Sequence, residues 1–143
     1  MKIIYFLCTI YELKIEYSAT CDKETVLNLT NHTYFNLAGE GDSTILDHQL
    51  TLFADKFVAT DETNIPISIS KVSGTPLDFT KPFIIGERIE QEHEQLQFGK
   101  GYDHTWVIRN EGGTEDNLRH AATLRDPGSG RKMDIYTDQP GIQ

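Results

Sequence analysis

Asn28-Leu29-Thr30-Asn31-His32-Thr33-Tyr34-Phe35-Asn36-Leu37-Ala38-Gly39 is the most informative run in the chain. It alternates. Leu27, Leu29 and Phe35 fall on one parity, and Asn28, Thr30, His32 and Tyr34 fall on the other. In an extended strand successive side chains point to opposite faces. The pattern therefore predicts a strand over Val26–Phe35, apolar on one face and lined with hydrogen-bonding groups, an imidazole among them, on the other. A strand facing only water more commonly carries Lys, Glu or Thr. Asn, Thr, His and Tyr suit a surface that holds something neutral and rich in hydroxyls.

Working outward, strand signals dominate. They fall over Glu12–Ala19, Leu46–Ala54, His104–Arg109, Leu118–Arg125 and Lys132–Thr137. Turn chemistry separates them at Gly39–Asp42, Asn110–Gly113 and Asp126–Gly130, because Gly and Asp tolerate the positive φ of tight turns. Asp126–Gly130 reads as the turn of a hairpin. Ile85, Ile89, Glu92 or His93, and Leu96 recur at helical spacing and predict one short surface helix. Residues 60–81, with Pro66, Gly74 and Pro76, read as a long excursion with short strands. The apolar run Ile3–Ile10 is short for a secretory signal, and Glu12 and Lys14 follow at once, so strand is the better reading. Alternating strands with one minor helix imply a mostly antiparallel all-β layer structure. Pattern alone leaves sandwich and barrel equally open.

The bulk numbers exclude several classes. The chain has 143 residues, enough for one domain or a piece of one. A net charge of −9 argues against nucleic acid, whose phosphates demand a basic surface, and against anionic membranes. No run approaches the ~20 apolar residues of a membrane span. Two cysteines, Cys8 and Cys21, make no disulfide framework, and free thiols in a reducing cytoplasm are the simpler reading. Neither has a second ligand at zinc spacing.

The opening run also resembles the Asn-His-(Ser/Thr)-Tyr-Phe-Asn-Leu-(Ala/Gly)-Gly signature of the aldose 1-epimerases, the galactose mutarotases. Four further blocks follow in the family's order: Asp61-Glu62-Thr63-Asn64-Ile65-Pro66, Gly74-Thr75-Pro76-Leu77-Asp78-Phe79, Gly101-Tyr102-Asp103-His104 and Tyr136-Thr137-Asp138-Gln139-Pro140-Gly141-Ile142-Gln143. The resemblance extends from about Glu12 to Gln143. It implies a large antiparallel β-sandwich, here incomplete at both ends, with residues 1–143 forming a single partial domain.

The resemblance also implies a reaction. Mutarotation interconverts the α and β anomers of an aldose such as galactose or glucose. An acid protonates the ring oxygen while a base takes the proton of the anomeric hydroxyl, so the ring opens and recloses on its other face. No metal or cofactor is expected. The family's acid falls on His32, and an imidazole titrates near neutrality. Without the resemblance, a hydrogen-bonded strand histidine is the plainer reading. Tyr34 falls near the family's sugar site, or is a packing aromatic. Asp103 falls on a family aspartate that binds sugar hydroxyls, a task suited to a carboxylate; the plain alternative is an Asx-turn residue. His104 either orients Asp103 or starts the next strand, and the second is favoured. Gln143 matches a substrate contact, and Gln139 is a weaker candidate. His48, His93 and His120 read as isolated structural or solvated residues.

The family pattern has a second histidine and an arginine ahead of these blocks. It has a basic glutamate after them. None of these has a counterpart here, so the chain is expected to be a central fragment, inactive alone. The expected partner is a monosaccharide, the expected compartment the cytoplasm, and exposed sheet edges make self-association an expectation. A non-catalytic or vestigial carbohydrate-binding domain is the alternative.

Overall fold

The computed structural model describes residues 1–41, 44–110 and 117–143. They fall into two units, residues 1–34 and residues 35–143.

The first unit holds one antiparallel hairpin. β1 (Lys2–Leu7) pairs with β2 (Leu13–Ser18) from Lys2↔Ser18 to Leu7↔Leu13. The turn closes through Cys8 N–H donating to the Glu12 carbonyl at 2.9 Å, with Tyr11 at φ 60. The preference for strand over signal at the N-terminus agrees with this hairpin.

The second unit is built from two four-stranded antiparallel sheets. Their strands are β3 (Gln49–Leu52), β4 (Ala54–Thr60), β5 (Pro66–Lys71), β6 (Phe83–Ile84), β7 (Trp106–Ile108), β8 (Arg119–Arg125), β9 (Lys132–Thr137) and β10 (Gly141–Ile142). The orders are β10-β7-β4-β5 and β6-β3-β8-β9. One core serves both sheets: Leu52 and Ala122 enter it from one, Ala54, Phe57, Ala59 and Trp106 from the other. Val72, Leu77 and Phe79 complete it from the connection after β5. The described residues are thus nearly all-β with antiparallel sheets, and the two-layer core of the second unit agrees with the sandwich expected.

The Gly74–Phe79 block has a structural explanation. Gly74 takes φ +80, a left-handed value that glycine adopts without a Cβ penalty. Thr75 donates its hydroxyl to the Val72 carbonyl at 2.7 Å and accepts from Leu77 N–H at 3.2 Å. The tight turn drives Leu77 and Phe79 into the core, where both are essentially fully buried. Trp106 Nε1 then donates to the Leu77 carbonyl at 3.0 Å, so the indole is buried without an orphaned donor. The Asp61–Pro66 block is the β4–β5 turn. One Asp61 oxygen accepts from Thr63 N–H, Thr63 Oγ1 and Ile65 N–H at 2.7–3.1 Å. Those bonds, the Thr63 hydroxyl first, hold its carboxyl below the usual carboxylate range.

Three expectations are corrected. First, residues 26–35 form no strand. The alternation is real, but a strand needs a backbone partner, and this segment pairs with no other strand among the described residues. Second, Leu46–Ala54 is not one strand. It breaks at Phe53, where the chain passes from the β3 sheet to the β4 sheet. Phe53 N–H donates to the Ala121 carbonyl and its own carbonyl accepts from Arg109 N–H, so the corner is bonded to both sheets. Third, the helix over 85–96 shrinks to a 3-10 turn at Ile85–Glu87 and a separate α1 (Glu94–Gly99). Ile85 N–H and Gly86 N–H are bonded to the carbonyls of His48 and Leu46. The Arg88 guanidinium is drawn to the Asp78 carbonyl and lies over the Phe83 ring, 3.9 Å from its centroid. The first turn ends at Arg88, and α1 starts anew after its own cap, His93.

The predicted β8–β9 hairpin is present, with Arg125↔Lys132 closing on the Asp126–Gly130 turn. Of the predicted turn at Asn110–Gly113, residues 111–113 lie outside the described residues, as does Asp42 of the Gly39–Asp42 turn. No helix among the described residues is long and apolar enough to cross a membrane.

Candidate functional site

His32 and Tyr34 lie in the first unit, and Asp103 and Gln143 lie in the second. Both members of the first pair are exposed and sit in backbone without regular structure. Their rings nevertheless stand on the same side of the chain, with centroids 4.8 Å apart and planes tilted by 40°. Extended backbone keeps residues i and i+2 on one side even without a ladder.

The second pair meets across forty residues of sequence. Gln143 Nε2 donates to Asp103 Oδ1 at 2.5 Å. The contact follows from strand order. β10 pairs antiparallel with β7, Gly141 opposite Val107 and Ile142 opposite Trp106. The residue after Ile142 therefore runs back toward the segment before Trp106, which carries Asp103. Gly141 makes this approach possible: a Cβ there would stand 2.7 Å from Thr105 Cγ2 and 3.2 Å from the Trp106 carbonyl oxygen. Arg119 Nη2 donates to the carbonyls of Asp138 and Gln139 and fixes the connection that leads into β10. Gln139 itself bonds Asp138 Oδ1 at 2.7 Å.

Both neighbours of Asp103 are anchored. Tyr102 donates its hydroxyl to the Pro76 carbonyl at 3.1 Å, and its ring meets Phe79 edge-on at 5.0 Å. Burial pushes the Tyr102 phenol up. His104 is buried against Phe57 and Trp106, edge-on at 5.9 and 6.4 Å. The turn before them requires left-handed backbone at Lys100 and Gly101. Asp103 stands exposed between the partly buried Tyr102 ring and the buried His104 ring.

The His104 ring carries a consequence. Neither of its nitrogens has a hydrogen-bond partner among the described residues. Burial lowers its pKa from 6.5, and the adjacent Asp103 carboxylate only partly offsets that. The unfolded chain thus takes up a proton near pH 6.5 that the folded chain takes up later. The unfolded state binds more protons in that window, so stability falls as pH drops below about 6.5, by up to about 1.4 kcal/mol per pH unit for one proton. Urea unfolding midpoints measured from pH 7.5 to 5.5 should decline, and His104→Leu should flatten that decline. An unchanged slope in the variant would assign the effect elsewhere.

The remaining histidines are structural, as one half of the expectation had it, but they are not isolated, and that half is corrected. His93 caps α1, its Nδ1 accepting from Gln95 N–H at 3.3 Å. His120 stacks on Tyr136 at 4.6 Å and lies 3.3 Å from Asp134. His48 is 1% exposed and accepts from Leu37 N–H at 2.9 Å. Gln95 is only two residues from His93, but His48 and His120 meet partners 11 or more residues away, Phe53 among them at 4.1 Å from the His120 ring, which no short motif reveals. Cys8 and Cys21 are free and exposed. Among the described residues no group of His, Cys, Asp or Glu is arranged to hold a metal ion.

Comparison with known proteins gives this arrangement a family. Galactose mutarotase from Bos taurus is 40% identical over 133 residues, covering 92% of this chain and 36% of its own length. Aldose 1-epimerase from Escherichia coli K12 is 35% identical over 132 residues, covering 92% of this chain and 37% of its own length. The chain thus spans little more than a third of these relatives. The crystal structure of galactose 1-epimerase from Lactobacillus acidophilus NCFM aligns with 56% of the chain and 22% of its own, at 28% identity and a TM-score of 0.48. The family model described as aldose 1-epimerase matches residues 1–143, every position of the sequence, and the chain belongs to that family.

Proposed function

We propose that this chain supplies the proton donor and part of the sugar-binding surface of an aldose 1-epimerase acting on a monosaccharide. The observation that carries the reading is the Asp103–Gln143 contact, two motif residues from distant blocks joined at 2.5 Å. A carboxylate beside a primary amide offers acceptors and donors together, which suits vicinal sugar hydroxyls that both give and take hydrogen bonds. His32 donates a proton to the ring oxygen, whose bond to the anomeric carbon breaks. The anomeric hydroxyl loses its proton to a base, and the resulting carbonyl rotates before the ring recloses on its other face. No residue described here is assigned as that base. Tyr34, beside His32, packs against the sugar in this reading. The cytoplasm is the proposed compartment, a reading supported by the two free thiols.

A chimera tests it: bovine galactose mutarotase with its matched segment replaced by the corresponding residues of this chain. Asp103→Asn in that chimera should raise KM for galactose about tenfold or more, with kcat changed less, since a hydrogen bond to a charged group contributes roughly 1.5–3 kcal/mol. Polarimetry on freshly dissolved α-D-galactose reads both constants. A KM within twofold of the parent would remove Asp103 from the binding surface.

A further inference from the structure

Leu37 is held at both of its backbone groups by side chains. Its N–H donates to His48 Nε2 at 2.9 Å. Its carbonyl accepts from Ser129 Oγ at 2.9 Å and from Arg131 Nη1 at 2.8 Å, filling both lone pairs. The same guanidinium nitrogen reaches the Ala38 carbonyl at 3.2 Å. Ala38 N–H turns back to Asn36 Oδ1 at 3.0 Å, and Gly39 follows at φ +120.

Both sides of this clamp are themselves fixed. His48 is buried, its carbonyl accepting from Ile85 N–H at 2.9 Å and its N–H donating to the Ile45 carbonyl at 3.0 Å. Because Nε2 accepts, the ring proton sits on Nδ1, which is buried with no partner among the described residues. An unpaired buried donor costs stability, and here it accompanies a ring that holds one particular amide. On the other side, Asp126 accepts from Ser129 N–H at 2.7 Å and Gly128 N–H at 3.2 Å, so the β8–β9 turn presents Ser129 and Arg131 from a closed loop. Three side chains from two separated segments thus converge on the two peptide groups that flank the Leu37 Cα.

Leu37 belongs to the signature run, five residues after His32. Residues 26–35 have no strand partner among the described residues to set their course, so a fixed point at Leu37 matters for the side chains upstream. We propose that His48, Ser129 and Arg131 are positioning residues: they fix the backbone on both sides of Leu37, the point from which the signature run leads back to His32. The catalytic consequence rests on reading His32 as the proton donor; the clamp itself does not.

Two measurements separate these. Ser129 and Arg131 are exposed, so Ser129→Ala with Arg131→Met leaves the core untouched. In the 143-residue chain this double variant should speed hydrogen exchange of the Ala38 amide, which shares its peptide group with the Leu37 carbonyl, about tenfold, with the Phe57 amide of β4 unchanged. Equal protection at Ala38 in variant and parent would overturn the clamp. In the bovine chimera, Arg131→Met should lower kcat for galactose mutarotation about tenfold with KM within twofold. Arg131→Lys, which keeps a cationic donor, should recover most of the loss. An unchanged kcat, or a loss that Lys does not recover, would overturn the positioning role. An inactive parent chimera would refute the catalytic reading and its positioning consequence together, while the exchange result would still decide the clamp.

Discussion

His32→Ala in the chimera should lower kcat for galactose by about 10²–10⁴, the range typical of a positioned proton transfer, while KM changes by less than about threefold. The ring oxygen of a hemiacetal is a poor leaving group unless it is protonated as the bond to the anomeric carbon breaks. Water can protonate it, but not from a fixed position. His32→Gln is the sharper control. It keeps a polar side chain able to donate a hydrogen bond, yet it cannot transfer a proton near neutral pH, so it should be nearly as impaired as alanine. Stopped-flow polarimetry of α-D-galactose measures both variants. If His32→Gln retained more than half of the parent kcat, His32 would be a binding residue and the acid would lie elsewhere.

Phe79→Ala should cost about 3–5 kcal/mol of folding stability, read by urea unfolding, because it empties a buried aromatic position. Phe79 is 1% exposed. Its ring meets Tyr102 edge-on at 5.0 Å and Trp106 at 6.2 Å, and the Arg88 guanidinium lies 4.9 Å from its centroid. Domains are stable by roughly 5–15 kcal/mol, so this one substitution takes a large share. Phe79→Leu, which keeps most of the volume, should cost roughly 1 kcal/mol. The exposed Arg109–Asp55 pair makes the useful contrast. It has bidentate geometry at 2.8 and 2.5 Å, but Arg109→Met should cost no more than about 1 kcal/mol, because solvent screens such pairs. A loss below about 1 kcal/mol for Phe79→Ala would mean that the two sheets are not organised around this ring. Because Phe79 also backs Tyr102, the residue before Asp103, the same substitution should loosen the Asp103–Gln143 pair.

How much of this was legible from sequence depended on whether an element's partners were local. The β8–β9 hairpin was readable because both strands alternate and an Asp-Pro-Gly turn joins them within five residues. The break at Phe53 was not, because it is set by Ala121 and Arg109, more than fifty residues away. The helical spacing through 85–96 was present, but the first turn ends at Arg88, whose guanidinium is held by the Asp78 carbonyl, and α1 starts anew after His93. The strand expected at 26–35 shows that alternation describes which faces differ, not whether a ladder forms. For Asp103 and Gln143, composition and periodicity were silent; the motif blocks named each residue, and only the β7–β10 register joined them. His48 was passed over because a lone histidine with no neighbour at motif spacing carries no signal. Its meaning lies in one amide eleven residues upstream and in a turn some eighty residues downstream.

The most direct test of the account is the initial rate at which optical rotation relaxes after α-D-galactose is dissolved. Three proteins should be compared: the chimera, the bovine enzyme lacking the matched segment, and the 143-residue chain alone. Relaxation well above the uncatalysed rate is expected for the chimera, and the uncatalysed rate for the other two. A chimera no faster than buffer, with its two-sheet fold intact by circular dichroism, would contradict it. So would a 143-residue chain that matched the chimera, since the base would then lie within these residues.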